Sequence, residues 1–289
     1  MQKQFENIGN YFSLVKISHT LFSLPFAMIG LFLAFKESGD PFRITSLLLV
    51  ILCVLFARNA AMAFNRYADQ EIDSKNPRTS GRELPRKIIS RPAALAFIII
   101  NAILFMGTAF LLNKMCFLLS PVALLVVLGY SLTKRFTALS HLFLGLGLSL
   151  APIGAYIAVT AHFALVPLMF SLSVIFWVAG FDIIYAMQDV AFDQSEHLRS
   201  IPVLLGKKNA LILSAVFHII SVGFLVVAGL TGPFGMVYWA GMAVYTSLII
   251  YQHLLVRPND LSRVNLAFFT LNGIASVVYA CFVIADLYL

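Results

Sequence analysis

Apolar residues run along this chain in long unbroken stretches, not in the alternation of half-buried strands. Nine runs can be marked off by polar or Pro/Gly breaks. They cover about 16–35, 45–68, 91–112, 115–133, 138–160, 164–187, 209–230, 234–255 and 265–287. Each approaches the roughly 20 residues that a helix needs to cross a bilayer. The expected fold is therefore all-α: a polytopic membrane protein with nine transmembrane helices around a central cavity, forming one domain over 1–289. Continuous runs argue against an outer-membrane barrel, whose strands alternate.

Composition sharpens this picture. Hydrophobic residues make up 60% of the chain and charged residues 11%, and the mean hydropathy is +0.90. A soluble domain lies nearer ~45–50% apolar and ~25% charged, so a soluble enzyme, a disulfide scaffold and a disordered chain are all excluded. Cys53, Cys116 and Cys281 lie in apolar context without metal-ligand spacing and read as packing residues.

The net charge of +7 would suggest nucleic acid for a soluble protein. Here it follows the positive-inside rule. With the amino terminus in the cytoplasm, sixteen of the twenty Lys and Arg residues fall on the inner side. The exceptions are Lys36, Arg43, Lys114 and Arg58, the last within an apolar run. Both long loops, about 69–90 and 188–208, are then cytoplasmic. No transit peptide is visible, so the cytoplasmic (inner) membrane of a prokaryote is the simplest location.

Seven of the thirteen acidic residues gather at two inner helix ends. Asn65, Asp69 and Asp73 are spaced i, i+4, i+8 and share one helix face. Asp182, Tyr185, Asp189 and Asp193 share a face in the same way. One such motif could be plain solvation at a helix end. Two motifs four helices apart on one membrane side form a pocket of hard oxygen ligands, which suits Mg²⁺ and, with it, a diphosphate. The repeated placement also hints at pseudo-symmetry, helices 1–4 echoing helices 5–8.

These residues, together with Tyr130 and Lys134 as Y-x-x-x-K, resemble the UbiA-type intramembrane aromatic prenyltransferases. The strings H-T-L-F-S-L-P-F at 19–26, N-P-R-T-S-G-R at 76–82 and R-S-I-P-V at 199–203 carry the same resemblance. It covers essentially the whole chain and is strongest towards the 4-hydroxybenzoate polyprenyltransferase branch. One departure is Arg66, where the family often has an aspartate.

The resemblance implies transfer of a polyprenyl group from polyprenyl diphosphate to an aromatic acid acceptor in quinone biosynthesis, by electrophilic aromatic substitution. It implies Mg²⁺ held by Asp69, Asp73, Asp189 and Asp193, with Asn65 adding an amide oxygen. Lys134, Arg66, Arg78 and Arg82 are then candidates for the diphosphate charge, although inner-side cations also satisfy the positive-inside rule. Arg58 lies seven residues before Asn65, about 10 Å deeper on the same face. A membrane arginine needs a partner: either a protein acid or the carboxylate of the acceptor. Asp182 is expected to orient the phenol or act as a base, and is the rival partner for Arg58. Tyr185 could assist either substrate, and His19 could line the cavity. His141, His162, His218 and His253 read as packing or interface residues. Asn265 and Asn272, seven apart, are expected to hydrogen-bond between helices. The long isoprenoid tail calls for a site open sideways to the bilayer. Alternatives are a different acceptor, such as a naphthoate or a glycerol phosphate lipid, and a cation transporter.

Overall fold

The computed structural model describes residues 9–11, 13–15 and 22–289; His19 lies outside the described residues. Among these the regular structure is helical, apart from an isolated bridge between Arg257 and Asp260. Nine long helices of the described residues correspond one for one to the nine apolar runs. They are α1 (Leu24–Ser38), α2 (Ile44–Ala68), α4 (Arg91–Leu112), α5 (Lys114–Thr133), α6 (Ser140–Thr160), α7 (Leu165–Ala186), α9 (Ile201–Thr231), α10 (Met236–Leu255) and α11 (Leu266–Tyr288). Two six-residue helices, α3 (Gln70–Lys75) and α8 (Val190–Ser195), lie in the two long loops. Seven of the nine long helices are long and apolar enough to cross a membrane. The other two are α1, described from Leu24 onward, and α10, where Gln252, His253 and several tyrosines dilute the apolar run.

Helix α7 is the most enclosed of the seven and is apolar on all sides, as a central helix must be. Against it pack Phe26 of α1, Tyr245 of α10 and Tyr279 of α11, clustered around the fully buried Trp177 and Phe170. Close backbone approaches fix its neighbours. A Cβ on Gly30 would fall 2.0 Å from the Pro152 carbonyl oxygen, and one on Gly145 would fall 2.3 Å from that of Ile175. Small residues let α1 meet α6 and α6 meet α7 at a spacing no larger side chain permits, as in other membrane bundles.

Three boundaries differ from expectation, each for a local reason. Helix α9 begins at Ile201, not 209: Ser200 takes the N-cap position and Pro202 sits in the first turn, a strong helix start. Gly206, at φ 73°, then breaks the helical path inside α9, a conformation that favours glycine. The expected continuous faces 65–73 and 182–193 are each interrupted at their middle aspartate. Asp69 (φ −97°, ψ 8°) ends α2 and starts α3, and Asp189 (φ −101°, ψ 3°) leads from the end of α7 into α8. Finally, the first six residues of α11, Leu266–Leu271, are wound as a π-helix. Asn272 stitches this segment: its amide donates to the Ala267 and Phe268 carbonyls at 2.9 and 3.0 Å, and its oxygen accepts from Trp177 Nε1 at 2.9 Å. That is the interhelical bond expected of Asn272.

Candidate active site

The two interrupted segments face each other at one end of the bundle. Asn76 and Arg78, just beyond α3, both reach Asp189. The Asn76 amide donates at 3.3 Å and Arg78 Nε at 2.9 Å, with a second, shorter Arg78–Asp189 ion pair beside it. Arg78 Nη1 also donates to the Tyr185 hydroxyl at 2.8 Å. Burial works against the Arg78 charge, but its bonds to Asp189 and Tyr185 more than offset that and hold its pKa above the ordinary guanidinium value. At the rim, Lys75 pairs with Glu196 at 2.6 Å. The α5–α6 loop joins both segments: Arg135 donates to the Ala68 carbonyl at 2.5 Å, and the Lys134 carbonyl accepts from Arg199 N–H at 2.8 Å.

Each aspartate has its own electrostatic setting. Asp69 is buried and accepts from Lys134 Nζ at 2.6 Å, with Arg135 at 3.6 Å and the Asn65 amide nitrogen at 3.3 Å. Its Oδ1 makes no hydrogen bond among the described residues. Asp73 is gripped by Arg82, whose Nη1 donates to both carboxylate oxygens at 2.7 and 2.8 Å. Asp193 has no ion pair among the described residues; Ser200 Oγ donates to it at 3.3 Å. Burial, and then the neighbouring Asp189 carboxylate, push the Asp193 carboxyl up to about 6.

These donors fit a hard divalent cation. The two bridged segments carry four carboxylates; among the described residues, one buried oxygen of Asp69 lacks a hydrogen bond and Asp193 lacks an ion pair. Among the described residues no three acidic, His or Cys side chains close into a ready-made cage. Mg²⁺ does not require one, since it keeps several waters and shares its shell with substrate phosphates.

Beneath this polar rim lies an apolar chamber of about 360 Å³. Arg58 and Tyr130 line its upper part, and Cys116 and Ile157 its far part. From Tyr130 to Cys116 along α5 is about 20 Å at 1.5 Å per residue. Phe22, Phe181 and Phe268 also line it, which narrows the many candidate aromatics to a few. Phe268, in the π-wound turn, stacks on Tyr185 at 4.2 Å between ring centroids, so the aromatic wall continues to the polar rim. Val122 and Phe163 line the chamber and are also exposed on the molecule.

Tyr130 connects the two levels: it lies within electrostatic reach of Arg66, Asp69 and Asp182, and Arg58 lies within reach of Tyr130. Arg66 is buried, and its Nε makes no hydrogen bond among the described residues. The charges of Arg82, Asp73 and Glu83 all act on it.

Three of the histidines expected to pack or to sit at interfaces lie between helices, and each has a polar partner there. His141 is buried, with its Nδ1 2.7 Å from Asp182 Oδ2. Asp182, the expected rival partner for Arg58, is thus held by His141. His218 and His253 also form a pair, Nδ1 to Nε2 at 2.7 Å, with His218 Nε2 3.2 Å from the Trp177 carbonyl. These are polar pairs across α6–α7 and α9–α10. The contacting residues are 41 and 35 positions apart in sequence, beyond the reach of any spacing argument.

The fold and this site define a multi-pass helical membrane protein with a charged rim over an apolar chamber. The chain belongs to the UbiA prenyltransferase family, whose model matches residues 23–274; it is a multi-pass membrane transferase. It is 29% identical over 251 residues to the 4-hydroxybenzoate octaprenyltransferase of Nitrosomonas eutropha, covering 87% of this chain and 86% of that protein. The apo structure of a UbiA homolog from Aeropyrum pernix matches with a TM-score of 0.83 and 33% identity, over 93% of this chain and 98% of the other. A UbiA homolog from Archaeoglobus fulgidus, solved with GPP and Mg²⁺, shares the fold with a TM-score of 0.74 at 21% identity, over 97% and 100% of the two chains.

Proposed function

We propose that this chain transfers a polyprenyl group from polyprenyl diphosphate to the ring of 4-hydroxybenzoate, with Mg²⁺, at the cytoplasmic face of a prokaryotic inner membrane. It would cross that membrane nine times with its amino terminus inside. The observation that carries the reading is the pairing of two like-shaped aspartate segments over an apolar chamber that contains an arginine. The resemblance of the octaprenyltransferase from Nitrosomonas eutropha supports the acceptor. Membership of the family displaces the cation-transporter alternative.

The reaction breaks the allylic C–O bond, and the diphosphate leaves with the electron pair. A ring carbon ortho to the phenol forms the new C–C bond, and the ring then loses its proton. Asp69, Asp73, Asp189 and Asp193 would hold Mg²⁺, which supplies positive charge to the leaving diphosphate. Lys134, Arg78, Arg82 and Arg66 border the same space and can bind phosphate oxygens, the arginines in a bidentate manner. The chamber takes the isoprenoid tail and keeps water from the allylic cation, which the faces of Phe22, Phe181 and Phe268 attract. Arg58, at the upper part of the chamber, binds the acceptor carboxylate. Asp182 and Tyr130, between chamber and rim, orient the phenol.

The test is an assay in membranes containing the protein. Polyprenyl diphosphate and Mg²⁺ are supplied with 4-hydroxybenzoate, a hydroxynaphthoate or a glycerol phosphate lipid, and products are identified by mass. Prenylated 4-hydroxybenzoate that disappears with chelator is the expected result. Product only with the naphthoate or the lipid would move the acceptor and keep the reaction class. No product with any acceptor would contradict the reading.

A further inference from the structure

We propose that His141 is a positioning residue for prenyl transfer, fixing the Asp182 carboxylate towards the acceptor; this rests on the transfer reading above. The argument starts at the amino end of α9. A helix leaves its first backbone N–H groups without intrahelical acceptors. The Ile201 N–H, in the first turn, points to His141 Nε2 at 3.4 Å. A backbone N–H can only donate, so Nε2 is the accepting nitrogen. In the neutral ring the proton then resides on Nδ1, which faces Asp182 Oδ2 at 2.7 Å. His141 therefore donates to Asp182.

Burial separates the two roles. The His141 side chain is 4% exposed and that of Asp182 22%. The imidazole is locked in packing, while the carboxylate stays partly open. Asp182 lies within electrostatic reach of Tyr130, which lines the chamber, and follows Phe181, another lining residue. A second link runs upward. His141 is an electrostatic neighbour of Asp193, and Ser200, immediately before Ile201, donates to Asp193 at 3.3 Å. One imidazole thus ties the acceptor-side carboxylate to the turn that leads from the second aspartate segment into α9. If that turn shifts, the donor to His141 Nε2 shifts with it, and so does the tautomer presented to Asp182.

The test uses the full chain purified into lipid nanodiscs. His141→Ala is expected to lower kcat at least tenfold, with the KM for polyprenyl diphosphate unchanged within about twofold. His141→Asn, whose amide N–H can occupy the place of Nδ1–H, is expected to restore most of the loss. In an Asp182→Asn background, His141→Ala is expected to add little. Nitrogen-15 spectra of His141 are expected to show the proton on Nδ1. Wild-type rates in His141→Ala would overturn the proposal, as would losses that multiply with Asp182→Asn, or a proton on Nε2. An inactive His141→Asn whose nanodisc melting temperature matches wild type would overturn it as well. A wild-type protein inactive with every acceptor would overturn the transfer reading itself, which the variants alone cannot do.

Discussion

The two aspartate segments have similar backbones and unequal electrostatics. In both, an aspartate near φ −100°, ψ 5° starts a six-residue helix that carries the next aspartate four positions on; it follows α2 directly at Asp69 and α7 after a short turn at Asp189. In the first segment both carboxylates are neutralised at close range, Asp69 by Lys134 and Asp73 by Arg82. In the second, Asp189 borrows Arg78 from the other segment's loop, and Asp193 has a hydrogen bond from Ser200 but no ion pair among the described residues. Equivalent shapes set the position of the ligands; the unequal distribution of cations sets where charge remains to be satisfied. The second segment depends on the first for its counter-ion, so the two loops are linked through the site itself.

Predictions follow from that inequality. Asp69→Ala and Asp189→Ala are expected to cut prenyl transfer by roughly 10³-fold each, since each removes a charge placed for the leaving group. Unequal losses would mean that one segment dominates.

The stability effects should diverge. Asp73→Asn leaves Arg82 without its partner and is expected to destabilise the fold by about 1–3 kcal/mol. Asp193→Asn removes a carboxylate set beside another, so it is expected to leave stability unchanged or raised without Mg²⁺. Thermal melts of both variants in detergent test the pair.

A change beneath both segments should leave their balance alone. Gly154 lines the chamber, and a Cβ there meets nothing within 4 Å. Gly154→Leu is expected to favour shorter donors by a fewfold in a chain-length competition, with the Mg²⁺ requirement intact. The smallest effect belongs to Lys75→Ala. Its pair with Glu196 is solvent-exposed on the lysine side, and such pairs contribute ~0–1 kcal/mol, so activity should stay within about twofold.

Much of this was legible in the chain. Continuous apolar runs mark the helices because a bilayer rewards uninterrupted hydrophobicity, and α4 begins and ends where its run does. The aspartates stand out because carboxylates at membrane depth are rare. The start of α9 was hidden for a physical reason: Gly206, Lys207 and Lys208 read as loop, although Ser200 and Pro202 carried the helix-start signal. Arg78 and Arg82 could be placed near the site, but not assigned to Asp189 and Asp73, because pairing depends on how two loops meet. His141 left no signal of its own. A buried histidine on an apolar helix looks like packing until tertiary contact brings Asp182 to one nitrogen and a helix N-terminus to the other.

The central claim is that the two segments act together on one metal–diphosphate headgroup. The most direct measurement is calorimetric binding of a non-ionising prenyl thiodiphosphate to the protein in nanodiscs, with and without Mg²⁺. Binding that requires Mg²⁺ and is lost in both Asp69→Ala and Asp189→Ala is the predicted result. Binding that survives chelation, or that survives removal of either aspartate, would contradict it.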